Sequence, residues 1–138
     1  MPSMEDFMSD ITNISGGSKR LVLQYLEALS GKAKPAEVVA RFVSDPALME
    51  HIAQVEAAFP SYELIAEQVI AEGDLVAMRG TFRGVHRGNF AGIDATGVTA
   101  TSPLMIIYRL EGARIAAHWL QFDVAGLIAQ LQTVAAAR

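Results

Sequence analysis

Leu75-Val-Ala-Met-Arg-Gly-Thr-Phe-Arg-Gly-Val85 and Ala113-Arg-Ile-Ala-Ala-His-Trp-Leu-Gln-Phe-Asp123 are the two stretches whose reading decides the fold. In both, the side chains sort with a period of two, the repeat of a strand that shows one face to a core. In the first, Val76, Met78, Gly80 and Phe82 share a face, and Leu75, Ala77, Arg79, Thr81 and Arg83 take the other. In the second, Ile115, Ala117, Trp119, Gln121 and Asp123 lie opposite Arg114, Ala116, His118, Leu120 and Phe122. Two further segments, Tyr62 to Ile70 and Val98 to Leu110, complete a set of antiparallel strands. Glu72-Gly73 and Glu111-Gly112 supply the tight turns, and a bend is expected at Pro103, which cannot donate to a ladder. His86 to Gly97, with glycines at 88, 92 and 97, reads as an excursion out of the sheet with a short strand near Phe90.

Ahead of the strands the period is about 3.6. Ser18 caps a helix over Lys19 to Ser30, with Leu21, Tyr25, Leu26 and Leu29 inward and Gly31 as the stop. Pro35 opens a second helix that runs to about Phe42. Asp45-Pro46 opens a third, which aligns Leu48, Ile52, Val55 and Phe59 in one stripe with His51 at its flank. Asp123 begins a last helix carrying Leu127, Leu131 and Val134. The polar start, ending in Ser15-Gly16-Gly17-Ser18, predicts a flexible N-terminal arm over residues 1–17 and a single domain over 18–138. Helices followed by a meandering antiparallel sheet predict an α+β fold. The helices cover one face of a strongly curved sheet that encloses a mostly apolar pocket.

Composition narrows the function classes. The chain has 138 residues, enough for one core, and at 51% hydrophobic it has apolar surface to bury in a pocket or between subunits. Eleven basic against fifteen acidic residues, net −4, leave no footprint for nucleic acid and no polybasic membrane patch. There is no cysteine, hence no disulfide, thiol nucleophile or thiolate metal site, and the three histidines lack metal-ligand spacing, so no metal is expected. No leader or membrane-length apolar run is visible, which makes a cytoplasmic protein the expectation.

The candidate site centres on the final strand. Asp123 stands where strand gives way to helix, so its carboxylate either caps the helix or acts as an acid/base beside Trp119. Trp119 offers a flat wall and an N–H donor, and Gln121 can orient a carbonyl. Arg79, next to Thr81, either pairs with Asp123 or a substrate oxyanion inside, or makes a salt bridge on a subunit interface. His51 is a helix-face histidine or a base, whereas His86 and His118 read as surface or interface groups.

The blocks Ala57-Ala-Phe-Pro60, Ala71 to Gly88, Gly92-Ile93, Thr96-Gly97, Ile107-Tyr-Arg109 and His118-Trp119 to Asp123 resemble the SnoaL-like polyketide cyclases of the nuclear transport factor 2-like superfamily. The resemblance runs from about Arg20 to Leu131. It implies a cone-shaped α+β barrel with a pocket at its wide end, ring closure by an intramolecular aldol reaction without metal or cofactor, and homodimers formed through the outer sheet face. It also implies that Asp123 is the acid/base and that His51 matches the family's helical histidine. The chain departs from the family in a short segment between His51 and Phe59, in Ile106 where relatives carry a polar residue, and in Gln132 at the closing Gln-Leu-Gly.

Two functions follow. One is a cofactor-independent cyclase or isomerase in which Asp123 removes a proton next to a carbonyl while Gln121, Arg79 or Tyr25 steadies the enolate oxygen. The other is a dimeric module that binds a small apolar ligand and does no chemistry. Epoxide hydrolysis fits less well, because Thr81 and Gln121 stand beside the arginine where that chemistry uses aspartates.

Overall fold

The computed structural model describes residues 3–136. Its elements are α1 (Met4–Leu29), α2 (Ala36–Phe42), α3 (Pro46–Ala58), β1 (Glu63–Glu72), β2 (Leu75–Val85), β3 (Thr99–Glu111), β4 (Arg114–Phe122) and α4 (Val124–Ala136). The strands form one antiparallel meander in the order β1-β2-β3-β4. Helices cover its inner face, giving the α+β architecture that the change of period predicts.

Register fixes which residues look inward. Val76 pairs with Tyr108 and Tyr108 with His118, Met78 with Ile106 and Ile106 with Leu120, Gly80 with Leu104 and Leu104 with Phe122. Paired residues point the same way, so these three rows form the concave face. Two register shifts, at Ala66/Gln68 and Arg109/Leu110, bend the sheet as bulges do. Beside the first, Gly80 has no room for a side chain, since a Cβ there would lie 2.3 Å from the Ile65 carbonyl oxygen. The core fills the concavity with Val22, Leu26 and Leu29 from α1, Val39 from α2, Leu48 and Ile52 from α3, and Leu127 and Leu131 from α4. Each such buried side chain contributes about 1.5–3 kcal/mol.

Three expectations are corrected. α1 begins at Met4 and passes through Gly16-Gly17, where a flexible joint is expected. Two glycines weaken a helix by about 0.8–1 kcal/mol each, which is what the sequence signals there. Ser18 is no cap. Its hydroxyl donates to the Gly73 carbonyl at 2.8 Å and ties α1 to the β1–β2 turn. Met1 and Pro2, the start of the expected arm, lie outside the described residues. β3 runs on through Pro103, whose missing N–H is tolerated because β4 joins β3 only from Leu104 onward and Pro103 has β2 alone beside it. His86 is fully buried rather than at the surface. Its Nδ1 accepts the Thr96 N–H at 3.2 Å and anchors the β2–β3 excursion.

That excursion leans on α3. The Arg87 and Gly88 N–H groups donate to the Ala58 carbonyl at 3.0 and 3.1 Å, and Phe90 packs on Phe59 with ring centroids 5.4 Å apart. On the opposite side, Val43 bridges to Ile115, and the Ser44 and Asp45 N–H groups donate to the Ile115 carbonyl at 2.9 and 3.1 Å. This contact sets the start of α3 beside β4.

Candidate active site

Between the concave face and the helices lies a cavity of about 50 Å³ lined by Tyr25, Leu48, His51, Ile52, Val55, Phe59, Tyr62, Leu64, Phe82, Phe90, Leu104, Ile106, Tyr108, Leu120, Phe122 and Leu127. The walls are hydrocarbon and aromatic, and the polar groups are one imidazole and three phenols. No lining side chain carries a fixed charge. Burial pushes the Tyr25, Tyr62 and Tyr108 hydroxyls well above the ordinary tyrosine value, so all three stay protonated and can donate.

His51 comes from the second turn of α3. Its pKa lies below the ordinary histidine value, first because burial disfavours the cation and then because positive charge on His118 repels it. At neutral pH it is a free base facing the cavity. His118, on the inner face of β4, stands beside it with ring centroids 6.4 Å apart. The His118 Nδ1 meets Asp45 Oδ2 at 2.8 Å, and Asp45 Oδ1 accepts the Ala47 N–H at 2.9 Å as the cap of α3. Burial would raise the Asp45 carboxyl. The His118 hydrogen bond, the Ala47 N–H, the charge of His118 and the Leu48 N–H together outweigh that and hold it below its usual value. A carboxylate therefore holds one imidazole beside a second that faces the cavity.

Of the residues singled out in the sequence, Tyr25 and His51 reach this cavity and the others do not. Trp119 and Gln121 are outside it because the inward face of β4 is the one bearing His118, Leu120 and Phe122, the reverse of the expected assignment. Trp119 is 55% exposed on the convex face, in a row Ile70–Ala77–Ile107–Trp119 across all four strands. Arg79 and Thr81 lie on the same outer face, where Arg79 Nη1 donates to Glu67 Oε2 at 2.8 Å and the Thr81 hydroxyl bonds Glu67 Oε1. Asp123 caps α4, with Oδ1 accepting the Gly126 N–H at 2.9 Å. Asp45, His118, Tyr62 and Tyr108 were not in the sequence-derived site. His118 shares strand parity with Leu120 and Phe122, which is the signal that could have found it.

Lys34 is a buried amine, its side chain 2% exposed, but it is not a free nucleophile. Its ammonium donates to the Lys32 and Tyr62 carbonyls and to Glu56 Oε2, and lies 3.9 Å from the centroid of the Tyr62 ring. It clamps the α1–α2 loop to the end of α3. Among the described residues no group of three or more histidines and carboxylates is placed to hold a metal ion.

A sequence profile for the SnoaL-like polyketide cyclases matches residues 29–131. Among solved structures, a protein named as a polyketide cyclase from Acidithiobacillus ferrooxidans superposes with a TM-score of 0.74 at 21% identity, covering 88% of this chain and 98% of that one. AclR from Streptomyces galilaeus, named as a hydroxylase, gives 0.73 at 23% identity over 86% and 83% of the two chains. A SnoaL-like polyketide cyclase from Agrobacterium tumefaciens gives 0.67 at 20% identity over 83% and 97%. A comparison with curated proteins finds no match. Identities of this size speak for a shared fold, and the reaction has to be argued from the site.

Proposed function

Because the chain belongs to the SnoaL-like polyketide cyclase family, we propose that its cavity binds a small apolar carbonyl compound and moves a proton next to that carbonyl, with His51 as the acid/base. The observation that carries this reading is the Asp45–His118–His51 arrangement, in which a neutral imidazole faces an apolar cavity while a carboxylate-held imidazole stands beside it. His51 takes the proton from the carbon next to the carbonyl, leaving an enolate and an imidazolium. The enolate carbon attacks a second carbonyl of the same molecule, a C–C bond forms, and the resulting alkoxide takes the proton back from His51. Nothing is gained or lost overall, so the reaction needs no cofactor. Asp45 offsets the positive charge gained during the step, and the apolar walls keep water from quenching the enolate. We place the base at His51 rather than Asp123, whose carboxylate is engaged at the start of α4.

The test is deuterium exchange at the carbons next to the carbonyl of cyclohexanone in D2O, followed by NMR. The native protein accelerates it above buffer. A binding module of the same fold remains the second reading, favoured by Leu120 and Phe122, the β4 residues that line the cavity, neither of which bears a carboxylate. That reading predicts ligand-induced shifts with no exchange.

We infer in addition that the convex face is a homodimer contact. Ile65, Ile70, Leu75, Met105, Ile107 and Trp119 are large apolar side chains exposed there together. Such a patch, with charged pairs Arg79–Glu67 and Arg83–Glu63 among it, has the composition of an interface between copies. Among the described residues no helix is long and apolar enough to cross a membrane.

A further inference from the structure

Most of the cavity wall is buried, and the lining residues that are partly exposed are His51, Val55, Leu64, Phe90, Leu120 and Phe122. The cavity comes closest to solvent among these. Five of them stand on α3, β1 or β4, whereas Phe90 comes from the excursion between β2 and β3. There it opens a small hairpin. Phe90 and Ile93 exchange N–H···O bonds at 3.0 and 2.9 Å around Ala91 and Gly92, whose φ values of 52° and 81° are those of a turn with both central residues left-handed. An alanine is held there against its own preference, the mark of a tip whose shape is set by its surroundings. One residue further out on each side, Asn89 Nδ2 donates to Asp94 Oδ1 at 3.1 Å, so these polar groups bond within the tip. The tip leans on the body through apolar side chains, Phe90 on the Phe59 ring and Ile93 against the core. Its stem is fixed more firmly, because Arg87 and Gly88 donate to the Ala58 carbonyl and a Cβ at Gly88 would run into the Ala57 carbonyl. The excursion therefore delivers one large ring to one place at the edge of the cavity.

We propose that Phe90 sets the bulk of the ligand: its ring fills the place at the cavity edge that the second ring of a fused bicyclic molecule needs, so the native cavity takes a monocyclic or open-chain ligand. The space that this ring holds is bounded by Phe59, and truncation would open an apolar extension of the cavity, suited to hydrocarbon. The enclosed volume of about 50 Å³ leaves no spare room elsewhere for a second ring. Phe90 also stands apart from the groups that bear on the chemistry. His51 and Val55 share α3, and Phe122 packs on the His51 ring with centroids 6.5 Å apart, so changing either neighbour disturbs His51. The hairpin tip carries Phe90 outside the four-stranded ladder, and a smaller side chain there leaves strand register untouched. The inference rests on the reading of the cavity as the ligand site, and not on His51 acting as the base.

The experiment titrates the native protein, Phe90→Leu and Phe90→Ala by NMR with cyclohexanone and with 2-decalone, a fused bicyclic ketone that has four more carbons. Each buried methylene is worth roughly fourfold in affinity. The ratio of the decalone Kd to the cyclohexanone Kd is expected to fall about 10-fold or more in Phe90→Ala and about fourfold, one methylene's worth, in Phe90→Leu. An unchanged ratio in Phe90→Leu, which keeps an apolar contact on Phe59 should the alanine variant fail to fold, overturns the role of Phe90 and leaves the cavity as a ligand site. A native protein that already binds 2-decalone more tightly than cyclohexanone by the full increment of four buried carbons, on the order of 100-fold, overturns it as well, because the ring then excludes nothing. Failure of cyclohexanone to bind the native protein overturns this inference together with the reading of the cavity as a ligand site.

Discussion

Asp45 and His118, 73 positions apart in the chain, meet with Oδ2 and Nδ1 at 2.8 Å. The other oxygen of the same carboxylate caps α3 through the Ala47 N–H. One side chain thus fixes the helix that carries His51 to the strand that carries His118. The linker before α3 reaches this position because Ser44 and Asp45 donate their N–H groups to Ile115 on β4.

The pH dependence of stability follows from that contact. The Asp45 carboxyl titrates lower in the folded protein than in the unfolded chain, where it titrates near about 3.9. The unfolded state therefore binds the proton first as pH falls, and the stability from Asp45, complete above about 4, is lost through the folded value. His51 acts in the same direction in a higher window. Its folded pKa lies below the unfolded value of about 6.5, so stability declines as pH drops from about 6.5 to the folded value. Denaturant midpoints measured from pH 7.5 to pH 3 are expected to fall in two windows, with Asp45→Asn removing the lower and His51→Gln the upper.

Asp45→Asn and Asp45→Ala separate the two roles of the carboxylate. Asparagine caps a helix as well as aspartate does, whereas alanine loses about 1 kcal/mol of cap. Both variants release His118 from its carboxylate. Equal losses of exchange activity, with a lower Tm for both variants and a further drop for alanine that measures the cap, are the expected outcome.

Sedimentation at micromolar concentration should show a species of twice the 14.8 kDa chain mass. Trp119→Asp, at the end of the apolar row across the convex face, should convert it to monomer without disturbing the cavity on the other side of the sheet. A native protein sedimenting as a monomer would remove the interface.

Ala113 has a φ of 61°, next to Gly112 at 57°, in the β3–β4 turn. Two left-handed residues in succession suit a hairpin turn, but alanine pays there for its Cβ. Ala113→Gly is expected to raise stability by roughly 0.5–1 kcal/mol, read as a higher Tm.

The elements were legible in the sequence because their signals are local. Asp45-Pro46 and Asp123 mark helix starts, and the Gly73 and Gly112 turns mark hairpins. The inward face of β4 was not legible, since unbroken alternation groups Ile115 with Trp119 and Leu120 with Phe122, whereas the register shift opposite Arg109/Leu110 turns Ile115 inward and leaves Trp119 outside. Parity groups such residues without saying which group meets the helices. The answer lies in pairing, where His118 stands opposite the fully buried Tyr108, and in the Val43–Ile115 bridge, which brings Asp45 to that side. A tryptophan followed by an acid draws attention as sequence, yet the three-dimensional site is built from the alternate residues.

The measurement that tests the central claim most directly is the rate of deuterium exchange into cyclohexanone for the native protein, His51→Gln and Asp123→Asn at pH 7. Loss of a general base typically costs about 100-fold or more, so His51→Gln should lose the acceleration by that factor. Asp123→Asn should keep it, because asparagine still caps α4. Full exchange in His51→Gln with loss in Asp123→Asn would contradict the account and return the base to the start of α4.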